Sequence, residues 1–260
     1  MQHTVSADGT RIAYDAMGDG PTIVVVNGAM SQARDARPLA EALRDAGFRA
    51  VTFDRRARGG SGDARGSEPV REAEDLAAVI EAVGGAAAVI GHSSGAVLAL
   101  FAASLGVPVT RLFLSEPPFH FGEDEPADDL PERLQALVDD GRGGDAITTF
   151  QLEAIGLPVA MVEQIRSSPM FADLVPLAQS TVYDATLTRQ LSTPTIAMAD
   201  VEAPVTILCG VDTFPMLTSA AQRLDEIMPD AELIEVPESV QHRLDPAATV
   251  RIIAVRVPAE

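Results

Sequence analysis

A chain of 260 residues, 47% of them hydrophobic, can bury one large core and is too apolar to be a disordered chain. Its formal net charge of −19, with every basic residue an arginine and no lysine, repels nucleic-acid phosphates and anionic membranes, so neither is an expected partner and a small, uncharged substrate is favoured. No stretch approaches the roughly 20 apolar residues of a membrane span, and Met1-Gln2-His3-Thr4 lacks the basic and apolar regions of a signal peptide, so a cytoplasmic protein is expected.

In chain order, Thr4 to Ser6 and Ile12 to Ala16 flank Asp8-Gly9, a hairpin signal, and Gly18-Asp19-Gly20-Pro21 breaks the chain before the apolar strand Thr22 to Val26. A helix over about 33–46 stops at Gly47. Strand 49–53, helix 70–83 closed by Gly84-Gly85, strand 86–90, a small-residue helix from Ala96, and strand 111–115 follow. Apolar strands separated by helices imply a parallel sheet covered on both faces. Between Pro117 and Pro204 the alternation stops. The segment carries helical runs at 131–140, 145–154 and 158–166, and a structureless loop of that length is implausible in a compact domain, so it is expected to be a helical insertion over the strand ends. The alternation resumes with strand 205–209, helix 216–227, strand 232–236 and a last helix from about Pro246, for which Asp245 is placed to act as N-cap. The one cysteine, Cys209, sits in an apolar strand, which points to a buried thiol and no disulfide.

The most informative stretch is Gly91-His92-Ser93-Ser94-Gly95, entered by an apolar strand and left by a helix. A serine hydroxyl is a weak nucleophile at neutral pH and needs exposure, a base and donors aimed at the developing oxyanion. Glycines on both sides let strand and helix approach while the central residue takes a strained backbone conformation. A phosphate-binding loop would want more glycines and a following lysine, and the chain has no lysine.

With this turn in place, the chain resembles the α/β-hydrolase family over essentially its full length. The resemblance rests on the hairpin start, Asn27-Gly28 after the third strand, Asp54 to Ser61 after the fourth, Gly91 to Gly95 after the fifth, Gly210-Val211-Asp212 after the seventh, and His242 to Pro246 near the end. It implies an α/β-hydrolase fold: a mostly parallel eight-stranded sheet with helices on both faces, a core of residues 1–118 and 204–260, and a mostly helical cap over 119–203. It also implies a nucleophile, an acid and a histidine in that order, with no cofactor and no metal.

Ser93 is then the expected nucleophile. Of four histidines, His3 lies at the terminus, His92 inside the turn and His120 at the start of the insertion, while His242 follows the last strand, where the family keeps its base. Two acids stay open. Asp212 ends the seventh strand, but one residue too close to Gly210 for the family's common spacing, and Glu116 ends the sixth, the position of the acid in some members. Asp212 is the first expectation and Glu116 the alternative. The oxyanion hole is expected from the backbone N–H groups of Ala29 and Ser94. The arginines of the Asp54 to Ser61 stretch are expected to form ion pairs and a turn rather than a substrate clamp. Met30, Phe119, Phe121, Phe171 and Phe214 are expected to line an apolar substrate cleft. The reading is a serine hydrolase, of carboxylic ester hydrolase type, for a small apolar ester or lactone through an acyl-enzyme. A lyase or cyclase on the same fold, or a ligand-binding protein with a vestigial triad, are the alternatives. Nothing in the sequence fixes an oligomeric state.

Overall fold

The Asp8-Gly9 turn closes through Ser6 N–H donating to the Thr10 carbonyl at 2.8 Å, with Asp8 Oδ1 accepting from Thr10 N–H at 2.9 Å. It joins β1 (Gln2–Val5) to β2 (Arg11–Met17) as the expected antiparallel hairpin. The computed structural model describes residues 1–66 and 68–257. Among these, six further strands follow: β3 (Thr22–Val26), β4 (Arg49–Phe53), β5 (Ala87–His92), β6 (Val109–Ser115), β7 (Val205–Asp212) and β8 (Glu232–Val240). They form one sheet in the order β1-β2-β4-β3-β5-β6-β7-β8, parallel from β4 to β8. The eight-stranded, mostly parallel sheet expected from the sequence is therefore present.

The parallel strands are apolar throughout because both faces are covered. Val24, Val26 and Val89 point to one face; Ile23, Val25 and Ile90 point to the other. The first face packs on α2 (Pro69–Ala82), α3 (Ser94–Ser104) and α10 (Pro215–Ile227), the second on α1 (Arg37–Asp45) and α11 (Pro246–Arg256). Asp245 caps α11, its Oδ1 accepting from Ala248 N–H at 2.7 Å. Cys209 is buried and free. No helix is long and apolar enough to cross a membrane among the described residues.

Between β6 and β7 the chain forms α4 (Leu130–Asp139), α5 (Gly143–Glu153), α6 (Val159–Arg166), α7 (Phe171–Leu174), α8 (Ala178–Gln190) and α9 (Ile196–Ala199). The first three match the sequence expectation. The long α8 does not announce itself as an amphipathic helix, because it is buried nearly all round and polar residues are interleaved with the apolar ones: Ser180, Thr181, Asp184 and Thr186 are buried alongside Val182, Tyr183, Ala185 and Leu187. Three of these hydroxyls hide by donating to carbonyls three or four residues back, for example Thr181 to Ala178 at 2.7 Å and Thr186 to Val182 at 2.8 Å.

The loop after β4 is a rigid hub, as its ion-pair and turn reading expects. Asp54 accepts the backbone N–H groups of Ala33 at 2.7 Å and Gly60 at 2.8 Å. Arg55, Arg56 and Arg58 are all buried. Arg56 makes a two-pronged pair with Asp75 of α2, at 2.8 and 2.7 Å, and Arg55 makes another with Glu72, at 2.8 Å on both prongs. A buried cation tolerates its lost hydration only where such bonds replace it.

Candidate active site

Ser93 sits between β5 and α3 with φ +54° and ψ −128°, a conformation a serine adopts only when its surroundings impose it. The flanking glycines impose it. A Cβ on Gly91 would lie 2.4 Å from the Gly95 carbonyl oxygen, and one on Gly95 would lie 2.2 Å from that of Val26, so larger residues would push strand and helix apart. Ser93 N–H donates to the Ser115 carbonyl at 2.9 Å, fixing the turn against β6.

One residue beyond β6, Glu116 is buried and has φ +48°. Its Oε1 accepts from Gly210 N–H at 2.9 Å, and its Oε2 lies 2.5 Å from Nδ1 of His242. Burial alone would raise this carboxyl, but the bonds from His242 and Gly210 outweigh it and hold Glu116 below the ordinary carboxylate value. An ionised Glu116 can only accept, so Nδ1 carries the shared proton and Nε2 is left as the lone-pair nitrogen. His242 itself has φ +59°. Of eight non-glycine residues with positive φ among the described residues, five lie at this site: Met30, Ser93, Glu116, Gln241 and His242. Such strain costs about 1–3 kcal/mol per residue and persists where the surrounding structure over-determines it.

The expectation that Asp212 partners the imidazole is corrected. Asp212 belongs to the exposed end of β7, pairs with Val240 across a register shift after Gly210, and makes no side-chain hydrogen bond among the described residues. Its backbone does matter, because its carbonyl accepts from Gln241 N–H at 2.6 Å and so anchors the turn that carries His242. The short Gly-Val-Asp spacing has a physical reason: β7 continues to Asp212 instead of breaking after Gly210, which leaves the side chain outside the site.

His92 packs its ring against His242, with centroids 4.6 Å apart, and its Nδ1 is 3.3 Å from Ser115 Oγ. Burial first, and the adjacent His242 second, push its imidazole down to about 4. Between that value and the ordinary 6.5 the unfolded chain binds the extra proton, so stability is complete above 6.5 and falls as pH drops toward 4. Denaturant titrations at pH 7.5 and 4.5 should show the wild type losing on the order of 2 kcal/mol more than His92→Gln. An equal loss in both proteins would contradict this coupling.

Ser93, Ser94 and His242 line a common cavity of about 490 Å³, with Ala29 and Met30 on one wall and Phe214 on another. Among the described residues, neither Ala29 N–H nor Ser94 N–H donates to a protein acceptor, and Ser94 is the first residue of α3, where N–H groups have no intrahelical partner. Phe119, Phe121 and Phe171, expected in the cleft, do not line it. His120 and Phe121 both donate their N–H groups to the Ser192 carbonyl, at 2.8 and 3.0 Å. That pinning sends Phe119 into the main core and Phe121 under the Arg223 guanidinium, 4.5 Å from its centroid, while His120 between them faces the cavity. Phe171 packs within the insertion. Phe150, an aromatic of the insertion that the sequence places among the candidates for the cleft though not among the five expected there, lines the cavity, and so does Asp184, which nothing in the sequence pattern sets apart.

The model of the alpha/beta hydrolase family matches residues 23–251. The crystal structure of an alpha/beta hydrolase from Sphaerobacter thermophilus is 38% identical, covers 98% of this chain and 99% of that one, and superposes with a TM-score of 0.90. A thermophilic esterase from Thermogutta terrifontis (19% identity, TM-score 0.70, 98% and 97% covered) and the enol-lactonase from Burkholderia xenovorans (17%, 0.67, 98% and 96%) share the fold. No curated protein matches the sequence significantly.

Proposed function

Because the chain belongs to the alpha/beta hydrolase family, we propose that it is a serine hydrolase that cleaves a small apolar ester or lactone through an acyl-enzyme. The observation that carries this reading is the 2.5 Å pairing of His242 Nδ1 with a buried Glu116 at the rim of the cavity that holds Ser93. Ser93 Oγ attacks the carbonyl carbon while His242 Nε2 takes its proton, and Glu116 balances the imidazolium that forms. The tetrahedral oxyanion is met by the N–H groups of Ala29 and Ser94. Collapse expels the alcohol, which receives the proton from His242. Water then repeats the sequence on the acyl-enzyme, with the histidine again acting as base. A lactone stays attached as its own leaving group until the final hydrolysis. Residues 119–203 act as a cap, since α5 and α8 supply the cavity wall opposite the strand ends.

Two measurements test it. A fluorophosphonate should label Ser93, read by mass spectrometry of the modified peptide, and p-nitrophenyl esters of increasing acyl length should be hydrolysed. With about 0.8 kcal/mol per buried methylene, kcat/KM should climb roughly fourfold per carbon until the cavity fills, then decline. Phe150→Ala and Phe214→Ala should move the optimum to longer chains, and Phe119→Ala should not. Absence of label at Ser93 together with inert esters would refute the assignment; a flat length profile would refute the closed apolar cleft.

A further inference from the structure

The two N–H groups proposed to meet the oxyanion come from separate places in the chain, Ala29 from the turn after β3 and Ser94 from the first position of α3. The Gly28–Ala29 peptide sits in a turn after β3, and a trans peptide places its C=O and N–H on opposite sides of one rigid plane. Whatever fixes the Gly28 carbonyl therefore fixes the direction of Ala29 N–H. Arg58 does so: its Nη1 donates to the Gly28 carbonyl at 2.6 Å and to the Ser31 carbonyl at 3.2 Å. Arg55 Nη1 reaches the preceding carbonyl, that of Asn27, at 3.3 Å. A cationic donor on the carbonyl also draws electron density through the amide and strengthens its N–H as a donor.

Both guanidinium groups converge on one carboxylate, and it comes from the helical insertion. Asp184 of α8 accepts from Arg55 Nη1 on Oδ1 at 2.9 Å and from Arg58 Nη2 on Oδ2 at 2.6 Å. The same Oδ1 accepts from Ser94 Oγ at 2.7 Å, and Ser94 Oγ accepts in turn from Arg55 at 3.1 Å. Arg55, Arg58, Ser94 and Asp184 are all buried. One carboxylate of the insertion thus ties down both halves of the oxyanion hole, the Ala29 half through Arg58 and the Ser94 half directly. Two buried guanidinium groups this close repel each other. Burial and the charge of Arg55 together push Arg58 down to about 10, against the attraction of Asp184.

We propose that Asp184 is a positioning residue that makes the oxyanion hole depend on docking of the helical insertion, by clamping Arg58 onto the Gly28–Ala29 peptide and by holding the Ser94 side chain at the start of α3. The inference rests on the serine hydrolase reading. An insertion that is not seated would leave Arg58 and Ser94 without their common acceptor, and the hole would lose its aim.

The test uses the full chain and p-nitrophenyl esters, with folding checked by near-UV circular dichroism. Asp184→Asn keeps the shape and removes the charge. Since loss of one oxyanion donor lowers kcat by about 10²–10³, Asp184→Asn should lower kcat roughly a hundredfold and leave KM within about threefold. Arg58→Lys, which keeps a cation but loses the fork, should lower kcat by about tenfold. The double variant should be no worse than Asp184→Asn alone, because both act on the same peptide. If Asp184→Asn does not fold, the kcat-specific loss in Arg58→Lys decides. The proposal is overturned if the folded variants keep kcat within threefold of wild type, if their losses fall on KM, or if the two losses multiply. A wild type that neither takes the fluorophosphonate nor turns over esters overturns the hydrolase reading itself, and this inference with it.

Discussion

Ser93→Ala should lower turnover of any ester substrate by about four to six orders of magnitude while the fold stays intact. The nucleophile and its base act as a unit, and removal of one leaves only the oxyanion hole and binding to accelerate attack by water. Ser94→Ala is the control beside it. Its backbone N–H, the proposed donor, survives the substitution, and Asp184 keeps its two arginines after losing the hydroxyl. Ser94→Ala should therefore cost about tenfold in kcat, the loss of the Ser94 arm of the Asp184 contact alone, and orders of magnitude less than Ser93→Ala. Equal losses in the two variants, measured under identical conditions on correctly folded protein, would remove Ser93 from the nucleophile's place.

Glu116→Gln should cost close to four orders of magnitude in kcat, the scale seen when the acid of a serine triad loses its charge but keeps its shape. The geometry says why. Gly210 N–H donates to Glu116 Oε1 at 2.9 Å, so a glutamine would turn its carbonyl oxygen toward Gly210 and its NH₂ toward His242 Nδ1. That NH₂ needs an acceptor. The imidazole proton would move to Nε2, where a lone pair is required to receive the serine proton. Asp212→Asn should be nearly silent, within about threefold, because Asp212 acts through its backbone carbonyl on Gln241. A larger loss in Asp212→Asn than in Glu116→Gln, with both proteins folded, would return the acid to the seventh strand.

These two acids show where sequence reading stops. Asp212 ends β7 and Glu116 follows the end of β6, its neighbour in the sheet, and both lie before His242 in the chain. Which one meets the imidazole depends on whether β7 breaks at Gly210 or runs on, and that is set by its pairing with β8 through Val240. No local signal in Gly210-Val211-Asp212 reports a partner nearly thirty residues further on. The phenylalanines fail for a related reason. Phe119, His120 and Phe121 alternate, so pinning two of their N–H groups on Ser192 decides which set faces the cavity, and Ser192 is 71 residues downstream of Phe121.

What the amino-acid sequence determined by itself was everything with a local cause. Continuous valine and isoleucine runs needed two covered faces and so a parallel sheet; Gly91 and Gly95 permitted the strained turn at Ser93; Asp8-Gly9 closed the hairpin and Asp245 capped the last helix. What only the tertiary structure decided was every choice between equivalent side chains: Glu116 over Asp212 beside His242, His120 over its phenylalanine neighbours in the cavity, and Asp184 beneath the two arginines. Helix α8 belongs to the second group too. Its buried serine and threonines are satisfied locally, by carbonyls three or four residues back, but Asp184 becomes favourable inside only when Arg55 and Arg58 arrive from a distant part of the chain to satisfy it. Local propensity acts over a few residues, whereas hydrogen-bond and charge partners are chosen by proximity in space, and for these residues that proximity exists only once the sheet has closed and the insertion has docked.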